Sequence, residues 1–299
     1  MLRIGIDLGG TNIVAGVVND KYEIIAKAKT PTAMPRTPEE IFDDIAMVCK
    51  QAMAEAGITI ADIYSVGLGT PGTANAEGVI EYANNLGFDH VPAKEMLIER
   101  LGCDKVYIEN DANCAAWAEH VIGASKGYKY SVMLTLGTGV GGGIILDNKL
   151  YKGKSGAAGE MHFKMTRTPQ RHCTCGSWDC FEAYASGTGL KLTAEDISEN
   201  KEMTTYDVID GLKAKDELMT KIFNTWQDDI LNGIIGLANI FDPDVVVLSG
   251  SMAEFVDTGY LTEETNRQIV TQPTKVVKAQ AGNYSGMIGA GLLALGVEG

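Results

Sequence analysis

The segment Leu2–Val18 reads LRIGIDLGGTNIVAGVV and decides the fold. Its apolar residues alternate with small or polar ones as far as Leu8, which predicts a strand. The Gly-Gly-Thr that follows predicts a tight turn, and Ile13–Val18 predicts a second strand. A turn at Asn19-Asp20 leads into a third strand through Ile24-Ile25. We interpret the segment as a β-hairpin unit that opens with a glycine turn.

The same pattern returns 128 positions later. Ser131–Leu136 predicts a strand, Gly137-Thr138-Gly139 the turn, and Gly143–Leu146 the next strand. Asn19-Asp20-Lys21 and Asp147-Asn148-Lys149 then occupy equivalent places. Two copies of one unit predict two similar domains that face each other. We place the N-terminal domain at 1–119, rejoined by a C-terminal helix at 287–299, and the C-terminal domain at 120–286.

Helices are predicted between these strands. Thr37-Pro38-Glu39-Glu40 forms a capping box with proline at the first helical position, so a helix begins there. Apolar residues at helical spacing predict a long helix from about Glu217 to Ile240, which Asp242-Pro243 ends. Val245–Leu248 is predicted as a buried strand, and Met287–Leu295 as a helix of small residues.

Bulk properties exclude some classes of protein. The 299 residues are enough for two domains of roughly 150 residues each. The formal charge of −14 argues against a nucleic-acid partner, which needs a basic surface. Asp7 interrupts any signal-peptide core, and no run approaches the ~20 apolar residues of a membrane span. We therefore expect a cytoplasmic protein with no membrane partner, in which Cys49, Cys103 and Cys114 are buried apolar residues.

Three junctions between a strand and a turn could bind phosphate. Glycines lack the Cβ that keeps an oxyanion away, so backbone amides can point at phosphate oxygens. A plain turn is the alternative at each junction, but two equivalent turns in facing domains favour nucleotide binding. Asp7 is placed to hold Mg²⁺ through water. The predicted ATP-binding residues are Asp7, Gly9, Gly10, Thr11, Asn12, Gly137, Thr138, Gly139 and Gly250.

The run 137–142 also matches the dinucleotide pattern G-x-G-x-x-G. A helix should follow that pattern, whereas Ile144-Ile145-Leu146 predicts a strand. The dinucleotide interpretation is therefore rejected.

Asp111 is the candidate catalytic base. It follows the predicted strand Val106–Asn110 at the start of a helix, where it could simply be an N-cap. The neighbouring amide of Asn110 and the glycine turns favour a function instead. A carboxylate in such a place can accept the proton of a hydroxyl group as that group attacks phosphorus.

Three cysteines, Cys173, Cys175 and Cys180, are spaced C-x-C-x₄-C and follow His162. This spacing is typical of a structural Zn²⁺ site in a reducing compartment. A metal ion there would stiffen a loop with little core of its own, and so orient Glu160 and Glu182. The alternative is three unrelated buried thiols, which the close spacing disfavours.

These motifs together resemble the ROK family of bacterial sugar kinases, within the actin and hexokinase superfamily. The resemblance runs almost end to end and adds Gly69-Thr70-Pro71-Gly72 to the segments above. It implies an α/β fold of two RNase H-like domains with a sugar-binding cleft between them. It also implies ATP and Mg²⁺ as cofactors, a hexose as substrate and a homodimer. By the same resemblance Asp111 is the catalytic base, and the residues that contact the sugar are Asn85, Asn110, Glu160 and Glu182.

The chain departs from the family at one point. The family pattern is E-x-G-H, and its histidine binds both the sugar and zinc. An ungapped match from Glu160 places Phe163 at that histidine, with His162 at the glycine. The expected zinc ligands are His162 with the three cysteines, and the alternatives are His172, another group, or no zinc. If Phe163 faces the sugar, an apolar contact is expected there.

Two other functions compete with a glucokinase-like hexose kinase. A sugar-sensing regulator of the same family carries a DNA-binding helix-turn-helix before the kinase-like part, whereas in this chain Asp7 lies near the first residue. An acyl or polyphosphate kinase is the other rival, and a charge of −14 disfavours polyphosphate. The sugar itself stays open between glucose, fructose, allose, mannose and N-acetylmannosamine.

Overall fold

The computed structural model describes residues 1–298. Their contacts divide the chain into two compact units. The first unit contains Met1–Gly127, Gly143–Gly159 and the segment from Gln280 onward, and the second contains Tyr128–Gly142 and Glu160–Ala279. Residues 120–127, 143–159 and 280–286, which the sequence assigned to the C-terminal domain, thus pack within the first unit. The domain bounds 1–119 and 120–286 are a division by the sequence repeat rather than by contacts, and they stay a prediction.

Strands and helices are interspersed along the chain. The strands are β1 (Leu2–Leu8), β2 (Asn12–Val18), β3 (Ile24–Pro31), β4 (Ile63–Thr70), β5 (Thr73–Ala74), β6 (Ile80–Ala83), β7 (Phe88–Val91), β8 (Val106–Asn110), β9 (Ser131–Leu136), β10 (Val140–Leu146), β11 (Lys149–Leu150), β12 (Val245–Ser249) and β13 (Lys275–Lys278). The helices are α1 (Pro38–Glu55), α2 (Ala93–Leu101), α3 (Asp111–Val121), α4 (Glu182–Ala185), α5 (Gly187–Ser198), α6 (Thr205–Lys213), α7 (Glu217–Phe241), α8 (Thr258–Gln268), α9 (Ser285–Gly291) and α10 (Leu293–Glu298). Short 3₁₀ turns cover Ile60–Asp62 and Asn84–Leu86.

The first sheet has the strand order β3-β2-β1-β4-β8. β2 is antiparallel to β1 and β3, whereas β1, β4 and β8 run parallel. Asp7 pairs with Gly69 on β4, and Gly69 pairs in turn with Glu109 on β8. The carboxyl ends of the three parallel strands therefore meet at one edge of the sheet. α1 begins at the predicted capping box and buries its apolar face in the core.

The second sheet has the equivalent order β11-β10-β9-β12-β13. β9, β12 and β13 run parallel, and β11 is antiparallel to β10. The repeat predicted from the sequence is confirmed, because the two sheets have equivalent strand orders. β10 begins at Val140, inside the 137–142 glycine run, so the predicted strand rather than a helix follows the Gly137-Thr138-Gly139 turn. The long helix α7 covers the predicted span and buries Trp226, Ile230 and Ile234.

The helical C-terminal segment divides at Leu292 into α9 and α10, and residue 299 of the predicted helix lies outside the described residues. α9 packs very closely on β1, β4 and α3. A methyl group on Gly5 would stand 1.9 Å from the carbonyl oxygen of Met287, and one on Gly67 would stand 1.8 Å from that of Ala290. Gly289 approaches Cys114 of α3 in the same way, at 1.7 Å. Glycine is therefore required at all three positions.

None of the helices in residues 1–298 combines the length and the apolar character that spanning a membrane needs.

The close packing of α9 predicts the effect of adding one methyl group. Gly67→Ala should lower the free energy of unfolding by about 2 kcal/mol or more, because the backbone of α9 must move to admit the new Cβ. Gly236→Ala is the matched control, since a Cβ at this position in α7 meets no atom within 4 Å. Alanine favours a helix over glycine by about 1 kcal/mol, so this control should be neutral or stabilising. Chemical denaturation measures both, and equal stability of the two variants would contradict the packing argument.

Candidate functional site

Two predicted residues of the first unit lie at the carboxyl edge of its sheet. Asp7 is the penultimate residue of β1, and Asp111 directly follows β8. The register that pairs Asp7 with Gly69 and Gly69 with Glu109 puts both carboxylates on this edge. Crevices at the carboxyl ends of parallel strands are where ligands bind in open α/β sheets. The structure therefore brings together the predicted metal-binding residue and the predicted base within one unit.

Asn110, rather than Asp111, is the N-cap of α3. Its Oδ1 accepts the backbone N–H groups of Ala112 at 2.9 Å and Asn113 at 3.1 Å, and its Nδ2 donates to the carbonyl of Gly72 at 3.0 Å. The interpretation of Asp111 as a simple cap is therefore wrong. Asp111 is the first helical residue and half-buried, and its Oδ1 accepts the N–H of Ala112 at 2.8 Å. The amide of Asn110 holds the corner between β8 and α3 in place. Contact of Asn110 with a sugar stays a prediction.

Glu109 supports the same corner from inside, and it was missed from the sequence. It is buried, and its Oε1 accepts the N–H of Asn110 and the Nδ2 of Asn113, both at 3.0 Å. Its Oε2 forms an ion pair with Lys152 at 2.6 Å. A charged residue in the apolar run of β8 was the available signal, because buried carboxylates are rare without partners.

The first glycine turn opens at the same edge. The N–H of Gly9 donates to the carbonyl of Asn12 at 2.9 Å, and the hydroxyl of Thr32 donates to the carbonyl of Gly9 at 2.6 Å. Gly10, Thr11 and Asn12 are exposed. A Cβ at Gly10 would meet nothing within 4 Å, so an anion has room to approach the backbone there.

Burial raises the pKa of Asp7 above its ordinary value of 3.8. The first turn of α9 stands beside its carboxylate, since a methyl group on Gly286 would lie 3.6 Å from the carboxylate carbon. Partial burial without a charged partner disfavours the ionised form. A divalent cation would reverse this preference, which fits the predicted role in holding Mg²⁺.

The second glycine turn belongs to the second unit and is held by α5. The N–H of Gly187 donates to the carbonyl of Gly137 at 2.8 Å, and the Thr188 hydroxyl donates to the carbonyl of Thr138 at 2.8 Å. The predicted Gly250 lies beyond β12 with φ of +87°, and a Cβ there would stand 2.4 Å from the carbonyl oxygen of Leu136. Only glycine fits this approach.

A cavity of about 630 Å³ adjoins the second turn within the second unit. Gly137 and Thr138 line it, together with residues of α5, α6 and the segment after β12. The volume lies in the usual range for small-molecule sites. Its other walls were missed from the sequence, and they include Thr188, Lys191, Tyr206, Lys213, Met252 and Phe255. No local motif marks these residues, since they come from separate segments.

The three predicted cysteines form one cluster. Their Sγ atoms lie within 4.8 Å of one another, and the Sγ atoms of Cys175 and Cys180 are 3.5 Å apart. Zinc–sulfur bonds of about 2.3 Å in a tetrahedron require similar separations. All six cysteines of the chain are free, and Cys49, Cys103 and Cys114 are buried as predicted.

The cysteine cluster has thiols of unequal acidity. Burial raises the pKa of Cys173, whereas a hydrogen bond from the backbone of Ser177 lowers the pKa of the exposed Cys175. The predicted fourth ligand, His162, is exposed and does not belong to the group of ligand atoms within 4.8 Å. Phe163 stacks on the buried ring of Phe181, with ring centroids 4.6 Å apart. Three thiols could therefore hold a metal cation, and the fourth ligand stays a prediction.

A polar network anchors the cysteine loop to helices α4 and α5 of the second unit. Asp179 is buried, with Oδ1 accepting the Tyr184 hydroxyl at 2.5 Å and the N–H of Arg171 at 2.9 Å. The Tyr184 hydrogen bond is the main cause that lowers the pKa of Asp179. Arg171 lies over the ring of Tyr184 and binds Asp196 at 2.8 Å. These contacts compensate for a φ of +57° at Asp179, which non-glycine residues rarely adopt.

Glu182 connects the cysteine loop to the second glycine turn. Its Oε2 accepts the N–H of Val140 at 3.1 Å, and its Oε1 accepts the Thr174 hydroxyl at 2.9 Å. The thiol of Cys173 lies 3.5 Å from Oε1. Two other predicted sugar contacts, Asn85 in the first unit and Glu160 in the second, are exposed.

Residues 3–297 match the family model described as ROK family. The chain belongs to the ROK family. The glucokinase of Streptomyces coelicolor is 35% identical to this chain, covering 98% of it and 97% of its own length. The ROK hexokinase from Thermus thermophilus has a TM-score of 0.86 at 32% identity, covering 100% of this chain and 99% of its own. A ROK family glucokinase from Streptomyces griseus, in complex with glucose and AMPPNP, has a TM-score of 0.79 at 30% identity and covers both chains fully.

Membership in the ROK family confirms the predicted family and fold class. The ROK kinase fold accounts for the two equivalent sheets, each with its own glycine turn after the first strand. The match to the ROK family model also includes the cysteine loop, since the matched residues contain 173–180.

The raised pKa of Asp7 predicts how its removal changes stability with pH. Because the folded protein holds this proton more tightly than the unfolded chain, ionising Asp7 costs stability as the pH rises from 3.8 through the folded pKa. Asp7→Asn should therefore be more stable than the wild type at pH 7, and the gain should shrink towards pH 4. Denaturant titrations at several pH values measure this difference.

Asp20→Asn is the control of opposite sign, since the N-terminal ammonium lowers the pKa of Asp20. This variant should lose stability at pH 7, and the loss should fade as the pH falls below 3.8. The same pH trend in both variants would contradict the burial argument.

Proposed function

We propose that this chain transfers the γ-phosphoryl group of ATP to a hydroxyl group of a hexose, with Asp111 as general base. One observation carries the proposal: Asp111 lies on the strand edge that also bears Asp7 and the first glycine turn, while Asn110 caps the helix. Asp111 is thus not needed as the N-cap. Family membership and near full-length similarity to a glucokinase support the same activity.

Proton transfer is the task of Asp111. As the sugar hydroxyl attacks phosphorus, its proton passes to a carboxylate oxygen of Asp111, and the bond from the γ-phosphorus to the bridging oxygen of ADP breaks. A well-placed general base accelerates such a step by about 10² to 10⁴. Asn110 and Glu109 keep the base in position, because they fix the turn on which it stands.

We assign nucleotide binding to the two glycine turns. The open backbone at Gly10 supports phosphate binding in the first unit, and the cavity beside Gly137 and Thr138 supports binding of the nucleoside in the second. Asp7 would hold Mg²⁺, which when bound neutralises charge on the phosphate oxygens.

Sugar recognition is assigned to Asn85, Asn110, Glu160 and Glu182. The carboxylate of Glu182 accepts hydrogen bonds from Val140 and Thr174, so it would meet a sugar hydroxyl in one orientation. A fixed carboxylate loses little side-chain entropy on binding. Glucose is the first choice of hexose. We also propose a cytoplasmic homodimer.

Zinc is proposed as a structural ion bound by Cys173, Cys175 and Cys180, with His162 as the fourth ligand. The separation of the sulfur atoms supports the three thiolates. His162 would need to turn towards the cluster to complete the tetrahedron.

A coupled assay of ADP release over a panel of hexoses tests the proposed function. Release with one or more sugars, at a kcat/KM in the usual enzyme range of about 10⁴ M⁻¹s⁻¹ or above, is the expected result. Sugar binding by calorimetry without ADP release from any sugar would favour the sugar-sensing regulator instead.

Replacement of the base separates chemistry from binding. Asp111→Asn should lower kcat by about 10² or more, while sugar affinity and thermal stability stay near the wild-type values. Asp104→Asn is the matched control, because Asp104 is an exposed acidic residue just before β8. A rate close to wild type for Asp111→Asn would remove Asp111 from the mechanism.

Zinc content tests the cysteine cluster. Elemental analysis should find about one zinc ion per chain, and Cys180→Ser should lose it and unfold at a lower temperature. Cys103→Ala removes a thiol outside the cluster and should keep the metal. Metal-free protein with the stability of the wild type would exclude structural zinc.

A further inference from the structure

A second large cavity, of about 690 Å³, lies within the first unit. None of its lining residues belongs to the glycine turns, to the cysteine loop or to the predicted sugar contacts. Four lysines line it: Lys94, Lys149, Lys152 and Lys154. We name it the lysine pocket.

The lysine pocket is positively charged in a chain whose formal charge is −14. Lys152 is paired with Glu109, and Glu77 is the one acidic residue in the described lining of the pocket. Among the residues that the structure describes, Lys94, Lys149 and Lys154 form no salt bridge. Clustering of like charges in a concave site costs free energy unless an anion binds there. With Lys152 paired and one carboxylate, Glu77, beside the three other lysines, the lining of the pocket keeps an excess of positive charge.

The walls of the pocket are held by backbone contacts. In the segment 75–94 the N–H of Lys94 donates to the carbonyl of Gly78 at 3.0 Å, and Asn75 Oδ1 accepts the N–H groups of Glu77 and Val79 at 3.0 Å. In the segment that follows β11 the N–H of Ala158 donates to the carbonyl of Lys152 at 3.1 Å. The lysines therefore extend from two separate ordered segments, which reduces the entropy lost when they bind a ligand.

The floor of the pocket is apolar. Ile108, Trp117 and Leu293 line it and are each buried, and Trp117 is fixed by a hydrogen bond from its Nε1 to the carbonyl of Leu292 at 2.9 Å. A pocket of this size, lined by lysines from two segments, fits a compact organic anion rather than an extended polyanion. Lysine ammonium groups bind phosphate as point charges.

We propose that the lysine pocket binds a small phosphorylated metabolite, with phosphate groups at the lysines and its carbon skeleton over the apolar floor. This site is separate from the proposed ATP and sugar sites. A ligand with two phosphate groups is expected to bind best, because two separate segments, Lys94 of α2 and residues 149–154, bring lysines to the pocket.

The pocket also has a structural path to Asp111, and this part rests on the proposed function. Lys152 binds Glu109, and Glu109 accepts the N–H of Asn110 beside the proposed base. A phosphate that draws Lys152 away would weaken the support of that turn. Bound ligand should therefore lower kcat more than it changes KM for the sugar.

Isothermal titration with fructose 1,6-bisphosphate as the probe tests the site directly. The wild type should bind it with the same affinity in the absence and presence of saturating Mg²⁺ and AMPPNP. Citrate, an anion without phosphate, should bind about tenfold more weakly or not at all. Loss of probe binding in the presence of AMPPNP would show that the probe binds at the ATP site and would overturn the proposal. Equal affinity for citrate would overturn the proposed preference for phosphate groups.

The lysines are tested with a matched pair of double variants. Lys94→Gln with Lys154→Gln should raise the Kd for the probe by about tenfold or more. Lys21→Gln with Lys201→Gln changes the net charge equally at exposed positions outside the pocket and should leave the Kd unchanged. Equal weakening in both, or no binding to the wild type, would overturn the proposal.

The same titrations on Asp111→Asn keep the binding proposal apart from the proposed function. Probe binding should persist in this variant even though turnover is lost. If the wild type binds the probe but no sugar is phosphorylated, the pocket stands and the kinase proposal fails. If the wild type phosphorylates a sugar and its kcat is unaffected by bound probe, the path through Lys152 is wrong.

Discussion

The close contact of α9 with the first sheet is the constraint on which the candidate site depends. Glycines at positions 5 and 67 let the helix backbone approach β1 and β4 at distances that no side chain allows, and Gly289 does the same towards α3. α9 thereby touches both the strand that bears Asp7 and the helix that begins with Asp111. Because backbone packs on backbone, these elements have little freedom to shift relative to one another. The two carboxylates are held at one edge by a contact distant from both in sequence.

The corner between β8 and α3 divides its tasks among three adjacent residues. Glu109 is buried and binds the interior, Asn110 satisfies the free N–H groups of the helix, and Asp111 projects from the first helical position. A helix start needs one capping side chain, which Asn110 supplies, and the acidic residue beside it is then available for chemistry. At Asp7 the chain loses stability instead. The raised pKa of this carboxyl group means that the folded protein is less stable when the group is ionised.

The second unit joins two features that look independent along the chain. The cysteine loop and the second glycine turn are more than 30 positions apart in sequence, yet Glu182 binds both through its two carboxylate oxygens. If the cysteine loop became less ordered, Glu182 would be less well held and the second glycine turn would be affected directly. Asp179, Arg171 and Tyr184 hold the loop from the other side, so its geometry does not depend on the thiols alone.

The sequence alone determined the elements whose signals are local. Strand alternation at Leu2–Leu8, the capping box at Thr37 and the repeated glycine turns each depend on residues a few positions apart, so pattern and structure agree. The contact of Asn110 with Gly72, the partners of Glu182, the stacking of Phe163 and the lysine pocket were decided only in the tertiary structure. Each depends on which distant segments meet, and the pocket alone draws on residues from 74 to 296. The physical reason is that burial and charge compensation are properties of an assembled neighbourhood, which no short stretch of chain contains.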